Sequence, residues 1–200
     1  MIGLRDLVVR FTSIGRVEAI VLRPSRRGPA VFAQQALAEP GRGLTGDHRS
    51  QRLRTDEVGT QREITLIQHE HLPLIAAWCG LSHVDPRGLR RNLVVSGVNL
   101  IAGHALFADL ALVWRVGQEV RIEITGACAP CSRMEAELGP GGYNTLRGHG
   151  GVTARLIRGG PVRVGDAPRL LALDGARADE GVVEQSQGCL AQGVMPGLPA

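Results

Sequence analysis

Lysine is missing from this chain: all 23 basic residues among its 200 positions are arginine. With no side-chain amine to form a Schiff base, ordinary covalent pyridoxal phosphate catalysis is excluded. Aromatic residues make up only 3%, too few to supply the stacking platforms that single-stranded nucleic acid needs. The arginines are also scattered, so nucleic acid is not an expected partner. No apolar run reaches the roughly 18 to 20 residues that cross a bilayer, and the N-terminus lacks a basic segment followed by an apolar core and a cleavage site. The expectation is a cytoplasmic protein with no membrane partner. Cysteine is sparse too: Cys79 and Cys189 lie far from the central pair Cys128 and Cys131. A disulfide framework is not expected, and the thiols are read as reduced.

What is present suits one globular domain, with 44% apolar residues in a 21.3 kDa chain. A net charge of +4 and a pI near 9.4 point to an anionic ligand. Because arginine offers a planar fork to phosphate oxygens, a phosphate-bearing small molecule is the economical choice.

Hydrophobic periodicity predicts a mainly β fold with a few short helices. Leu4, Leu7, Val8 and Phe11 fall at helical spacing, and strands are expected over 16–23, 62–67, 89–97, 105–116, 119–125, 152–158 and 168–173. Leu72, Ile75, Ala76 and Cys79 mark one face of a helix, making Cys79 a core thiol. Gly159-Gly160 reads as a hairpin turn between two strands. Glycines at 41, 43 and 46 imply positive-φ backbone. Many short strands joined by Gly/Pro-rich turns argue for a closed or nearly closed β-barrel rather than a parallel α/β sheet. From residue 175 the sequence turns small and polar and reads as a loosely packed tail carrying Cys189.

The run Glu119-Val-Arg-Ile-Glu-Ile-Thr125 alternates as a half-buried strand does, and Gly126-Ala-Cys-Ala-Pro-Cys-Ser-Arg133 follows it. Cys131 should therefore emerge just past a strand end, where a short helix led by Pro130 begins. Helix N-terminal amides and nearby guanidinium groups, from Arg133 and from Arg90, Arg91 or Arg155 if the fold converges them, would favour the thiolate.

Set in order, Gly43-Leu-Thr-Gly-Asp-His48, Arg62-Glu-Ile-Thr-Leu-Ile67, Arg90-Arg-Asn-Leu-Val-Val-Ser-Gly97, Ala129-Pro-Cys131, Gly148-His-Gly-Gly-Val-Thr-Ala-Arg155 and Val164-Gly-Asp166 resemble the MOSC domain, the module similar to the C-terminal part of molybdenum cofactor sulfurases. The match spans residues 16–173, leaving an N-terminal segment 1–15 and a tail 174–200. The resemblance implies a pyruvate-kinase-type β-barrel and molybdenum cofactor (molybdopterin) as the cofactor. Its Pro-Cys cysteine maps onto Cys131, as molybdenum ligand or sulfur carrier. Arg90, Arg91 and Asn92 stand where the family carries an Arg/Asn segment, which could grip a pterin phosphate and ring edge or be solvated residues before a core strand. Arg133, His48 and His149 complete the candidate binding set. Asp47 either orients an arginine or caps a turn. Gly148-His149-Gly150-Gly151 either offers amides to an anion, with His149 a proton donor, or merely leads into the next strand.

The function expected is reductive or sulfur-transfer chemistry on a small molecule, with an electron-donor protein or a cysteine desulfurase as partner. The alternative is a non-catalytic module that binds a phosphorylated pterin-type ligand. Cys128 is read as an incidental or resolving thiol. Structural zinc is set aside because no second Cys-x-x-Cys exists. His69, Glu70, His71 and His83 are set aside as a metal set, since residues two apart do not share a helix face.

Overall fold

The computed structural model describes residues 2–51 and 61–173; the expected tail 174–200, with Cys189, lies outside them. Eleven strands and four short helices follow in the order α1 Leu4–Val8, β1 Arg16–Leu22, β2 Val31–Ala33, β3 Gln35–Glu39, β4 Gly43–Leu44, β5 Ile64–Gln68, α2 His71–Cys79, β6 Leu93–Ser96, β7 Ala111–Val116, β8 Val120–Ala127, α3 Arg133–Leu138, α4 Gly142–Thr145, β9 Val152–Arg158, β10 Gly160–Arg163 and β11 Arg169–Leu173, with one 3-10 turn at Ile101–Gly103. The fold is mainly β with few helices, as periodicity predicts.

Eight strands form one sheet in the order β11-β7-β8-β9-β5-β6-β1-β2, and β10-β3-β4 form a second. Within the large sheet β5 and β6 run parallel, Leu66 opposite Leu93, with α2 crossing between them. The other pairings are antiparallel. β8 alternates as expected, with Val120, Ile122 and Ile124 buried. β5 and β6 are instead buried on both faces, and the reason is layering. Leu66, Leu93 and Val95 join a core that also takes Leu44 and Val162 from the small sheet. Ile67 and Val94 face a second core beneath the helices, with Ile75, Met134 and Leu146. Each such side chain contributes about 1.5–3 kcal/mol by leaving water.

One expectation is corrected. Gly159-Gly160 does not close a hairpin: β9 stays in the large sheet, while β10 crosses to the small one and pairs with β3, Pro161 opposite Leu37. The turn is thus a switch between sheets. The other expectation is a closed or nearly closed barrel. No ladder joins the outer strands β11 and β2 among the described residues. β2 covers β1 only at Ile20, Val21 and Leu22, which leaves the start of β1 open to another chain segment. Residues 165–168 take that place: Val17 N–H donates to the Asp166 carbonyl and Gly165 N–H to the Val17 carbonyl, both at 2.8 Å.

Candidate functional site

β8 delivers the cysteine segment. Its partner β9 is pinned next to β5 by Gly151, where φ is +87° and an added Cβ would lie 2.0 Å from the Leu66 carbonyl oxygen. Only glycine permits that approach. At the same point the Gly151 carbonyl accepts the Cys128 N–H at 2.8 Å, so the hydrogen bonding between the β8 and β9 segments runs one residue past β8, to Cys128. The chain then turns through Pro130. Cys131 is exposed, its carbonyl accepts the Met134 N–H at 2.8 Å, and α3 begins two residues later, with Met134 and Leu138 anchoring it in the core.

The two thiols differ in setting. Cys128 is buried, and Arg62 Nη2 donates to its sulfur at 3.2 Å. Arg91, buried beside it, donates from Nη1 to the Leu89 carbonyl at 2.7 Å, from Nε to the Gly150 carbonyl at 2.5 Å and from Nη2 to the Cys128 carbonyl at 3.4 Å. Burial pushes the Arg91 guanidinium below its ordinary pKa, with Arg62 and Arg23 adding repulsion and the sulfurs of Cys128 and Cys131 pulling the other way.

A cleft of about 360 Å3 opens next to α3. Its walls carry Arg23, Arg27, Arg87, Arg90, Arg133 and His48, against only Asp85 and Glu137. Arg87 neutralises Asp85, donating from Nη2 at 2.6 Å, and this bond holds the Asp85 carboxyl below the usual carboxylate range. Arg27, Arg90 and Arg133 have no carboxylate partner among the described residues, so the cleft is cationic. Arg90 has φ +61°, left-handed backbone that costs a non-glycine residue about 1–2 kcal/mol.

Beneath this wall lies a buried polar knot. Asp47 Oδ2 accepts from Arg23 Nε at 3.0 Å and from Asn92 Nδ2 at 3.2 Å, while its Oδ1 lies 3.3 Å from His48 Nδ1. Asn92 Oδ1 accepts from Thr65 at both N–H and Oγ1. His48 also donates from Nδ1 to the Arg23 carbonyl at 3.2 Å.

The expected residues therefore separate into two groups. Arg90, Arg133 and His48 share the cleft, and Cys131 stands two residues before Arg133. Arg91 and Asn92 are buried and hydrogen-bonded to protein instead of lining it, so they shape the wall from behind. Both readings of Asp47 hold: its Oδ2 orients the Arg23 guanidinium, and its Oδ1 accepts the Arg49 N–H at 3.1 Å and so caps the turn. His149 turns to α2: its ring meets His71 at 5.0 Å and Trp78 at 4.9 Å, and its carbonyl accepts from His71 Nδ1 at 3.3 Å. Arg155 does not converge on the cysteines, because β9 aims it at Glu123 of β8, Nε to Oε2 at 2.7 Å. Sequence reasoning missed Arg23, Arg27, Arg62 and Arg87. The one available signal was the excess of arginine over acidic residues, 23 against 19. No group of three or more His, Cys, Asp or Glu side chains is placed to hold a metal ion among the described residues, and no helix there is long and apolar enough to cross a membrane.

Comparison with known proteins gives a family and a fold. The family model of the MOSC domain matches residues 53–168. Among solved structures, the YuaD protein from Bacillus subtilis superposes with a TM-score of 0.61 at 18% identity, covering 78% of this chain and 95% of that one. YiiM from Escherichia coli gives 0.57 at 16% identity over 84% and 73% of the two chains, and YiiM from Geobacillus stearothermophilus 0.56 at 14% over 80% and 75%. No curated protein matches by sequence.

Proposed function

The chain belongs to the MOSC domain family, and on that premise we propose a molybdenum-cofactor-related role in which Cys131 is the working thiol and the arginine cleft binds the cofactor's phosphate. The observation that carries the reading is the pairing of an exposed cysteine at the start of α3 with a cationic cleft whose wall includes Arg133 of the same helix. The donor set fits such a group. Arg27, Arg90 and Arg133 offer guanidinium forks to phosphate oxygens, and a thiolate is a soft ligand suited to a thiophilic metal. When bound, the cofactor would supply two-electron reduction or sulfur transfer to a small-molecule substrate.

The protein's own residues do three things in this proposal. Asp47 holds Arg23 and His48 at the cleft wall, so that no rearrangement precedes binding. Arg91 fixes the Gly150 and Cys128 carbonyls and so sets where the cysteine segment leaves the sheet. Pro130 and the first turn of α3 present Cys131 to solvent. That exposure also favours a second form of the same role, in which Cys131 accepts sulfur from a desulfurase partner and passes it on. A buried thiol could not meet another protein's active site.

The test is elemental analysis of protein purified from a host that makes the cofactor. Molybdenum close to one per chain, lost in Cys131→Ser, supports the metal-binding form. A persulfide on Cys131 without molybdenum supports the carrier form. Ligand retained in full by Cys131→Ala would mean a binding module without thiol chemistry and would overturn both.

A further inference from the structure

The buried thiol of Cys128 is left unused by the reading above. Its surroundings are not those of an inert core cysteine. A guanidinium group has donors only, so the 3.2 Å contact makes the Cys128 sulfur the acceptor of an Arg62 N–H. The contact tethers the Cys128 sulfur to a guanidinium group. Arg91, itself buried, packs a second guanidinium against the same residue through the Cys128 carbonyl, whereas Arg62 reaches the sulfur from the exposed side. Three residues on, at the spacing that permits disulfide closure at a helix start, stands the exposed Cys131. The backbone between them belongs to no strand or helix and is tied at Cys128 N–H to Gly151 and at the Cys131 carbonyl to Met134.

We propose that Cys128 is the resolving nucleophile for sulfur carried on Cys131, an inference that rests on the sulfur-carrying form of the proposed role. The Cys128 thiolate attacks the Cys131 sulfur of a Cys131 persulfide. The bond between that sulfur and the terminal sulfur breaks, a Cys128–Cys131 disulfide forms, and the terminal sulfur leaves as hydrosulfide with the bonding electron pair. The sulfane sulfur is reduced, and the two cysteines are oxidised to the disulfide. A dithiol reductant then restores both thiols. The division of labour follows from exposure: the outer cysteine meets the donor, and the shielded one acts only on what the outer one holds. Arg62 is the positioning residue for the inner thiolate.

The experiment uses the full chain with Cys79→Ala and Cys189→Ser, loaded with inorganic polysulfide. Hydrosulfide release is followed together with peptide mass spectrometry. The expected result is one hydrosulfide per loaded chain and a Cys128–Cys131 disulfide. Cys128→Ser should keep the extra sulfur on Cys131, and Arg62→Met should slow release several-fold. A second arm replaces polysulfide with the chromogenic disulfide dithionitrobenzoate. Here the chain with both cysteines should release two equivalents of thiol and keep no adduct, whereas Cys128→Ser releases one and retains the adduct. A Cys131 persulfide or adduct that persists beside an intact Cys128 overturns the resolving role alone. A Cys131 that takes no sulfur from polysulfide yet closes in the second arm overturns the sulfur-carrying reading, and the proposal with it.

Discussion

Arg23 and Asp47 form a buried ion pair, Nη2 to Oδ2 at 2.9 Å, with each side chain at most 10% exposed. They are 24 residues apart in sequence, yet this pair connects the cleft wall to the core, because the same carboxylate oxygen accepts from Asn92. Removing one partner strands the other charge in a low-dielectric setting. Asp47→Ala should therefore cost about 3–5 kcal/mol in urea unfolding. A folded Asp47→Asn variant should bind pyrophosphate more weakly, because Arg23 and His48 lose the group that orients them. Wild-type affinity in that variant would show that the knot serves stability only.

Arg90 makes the opposite trade. Its left-handed backbone is strained and its side chain lines the cleft. Arg90→Gly should leave stability unchanged or raise it by up to about 1 kcal/mol, while weakening anion binding. Arg90→Ala keeps the strain and loses the guanidinium, so it should weaken binding equally with no gain in melting temperature. Thermal melts and pyrophosphate titration of the two variants separate strain from charge.

Gly151 admits no side chain. With the Leu66 carbonyl oxygen 2.0 Å from an added Cβ, Gly151→Ala should separate β9 from β5 where Leu66 pairs with Val152, at a cost on the order of 3 kcal/mol. It should also release the Cys128 N–H from Gly151. Faster hydrogen exchange at Cys128 in that variant would show the coupling.

Much of this fold can be read along the chain, and the losses have a common cause. β8 and β9 alternate or run apolar as strands do, and α2 shows its core face through Leu72, Ile75 and Ala76. Positive φ at Gly41, Gly43 and Gly46 agrees with the close spacing of glycines in that turn-rich segment. β2, β3 and β4 were hidden because they are two to five residues long, lie among prolines and glycines, and place Val31, Phe32 and Leu37 outward, so no apolar run marks them. A Gly-Gly turn at 159–160 reports local geometry and not which sheet the next strand joins, so the switch there looks like a hairpin from the sequence. At the site, motif order points to Cys131 and His48, and nearness to the cysteine points to Arg133; two of the three, His48 and Arg133, line the cleft. Arg62 on Cys128 and Arg23 on Asp47 were not legible, since contacts across 66 and 24 residues leave no trace in spacing.

A pH effect resides in α3. The Glu135 carboxylate accepts the Tyr143 N–H at 2.9 Å and the Gly141 N–H at 2.7 Å, and these backbone bonds lower its pKa. A carboxylate depressed on folding contributes stability above its unfolded pKa and loses it as pH falls through the lower folded value. Acidification should therefore free the α3–α4 connection first, with amide exchange at Gly141 and Tyr143 rising in the acid range. Glu135→Gln should show fast exchange there at neutral pH and no further acid response.

If Cys131 and the arginine cleft act as one site, an anion held in the cleft must shield the thiol. The rate of Cys131 alkylation by iodoacetate, resolved by peptide mass spectrometry with and without pyrophosphate, tests it most directly. Cys131 should be modified before Cys128 and Cys79, and pyrophosphate should slow that modification several-fold in the wild type but little in a variant carrying Arg90→Ala and Arg133→Ala. A Cys131 rate indifferent to pyrophosphate and to those two substitutions would contradict the account.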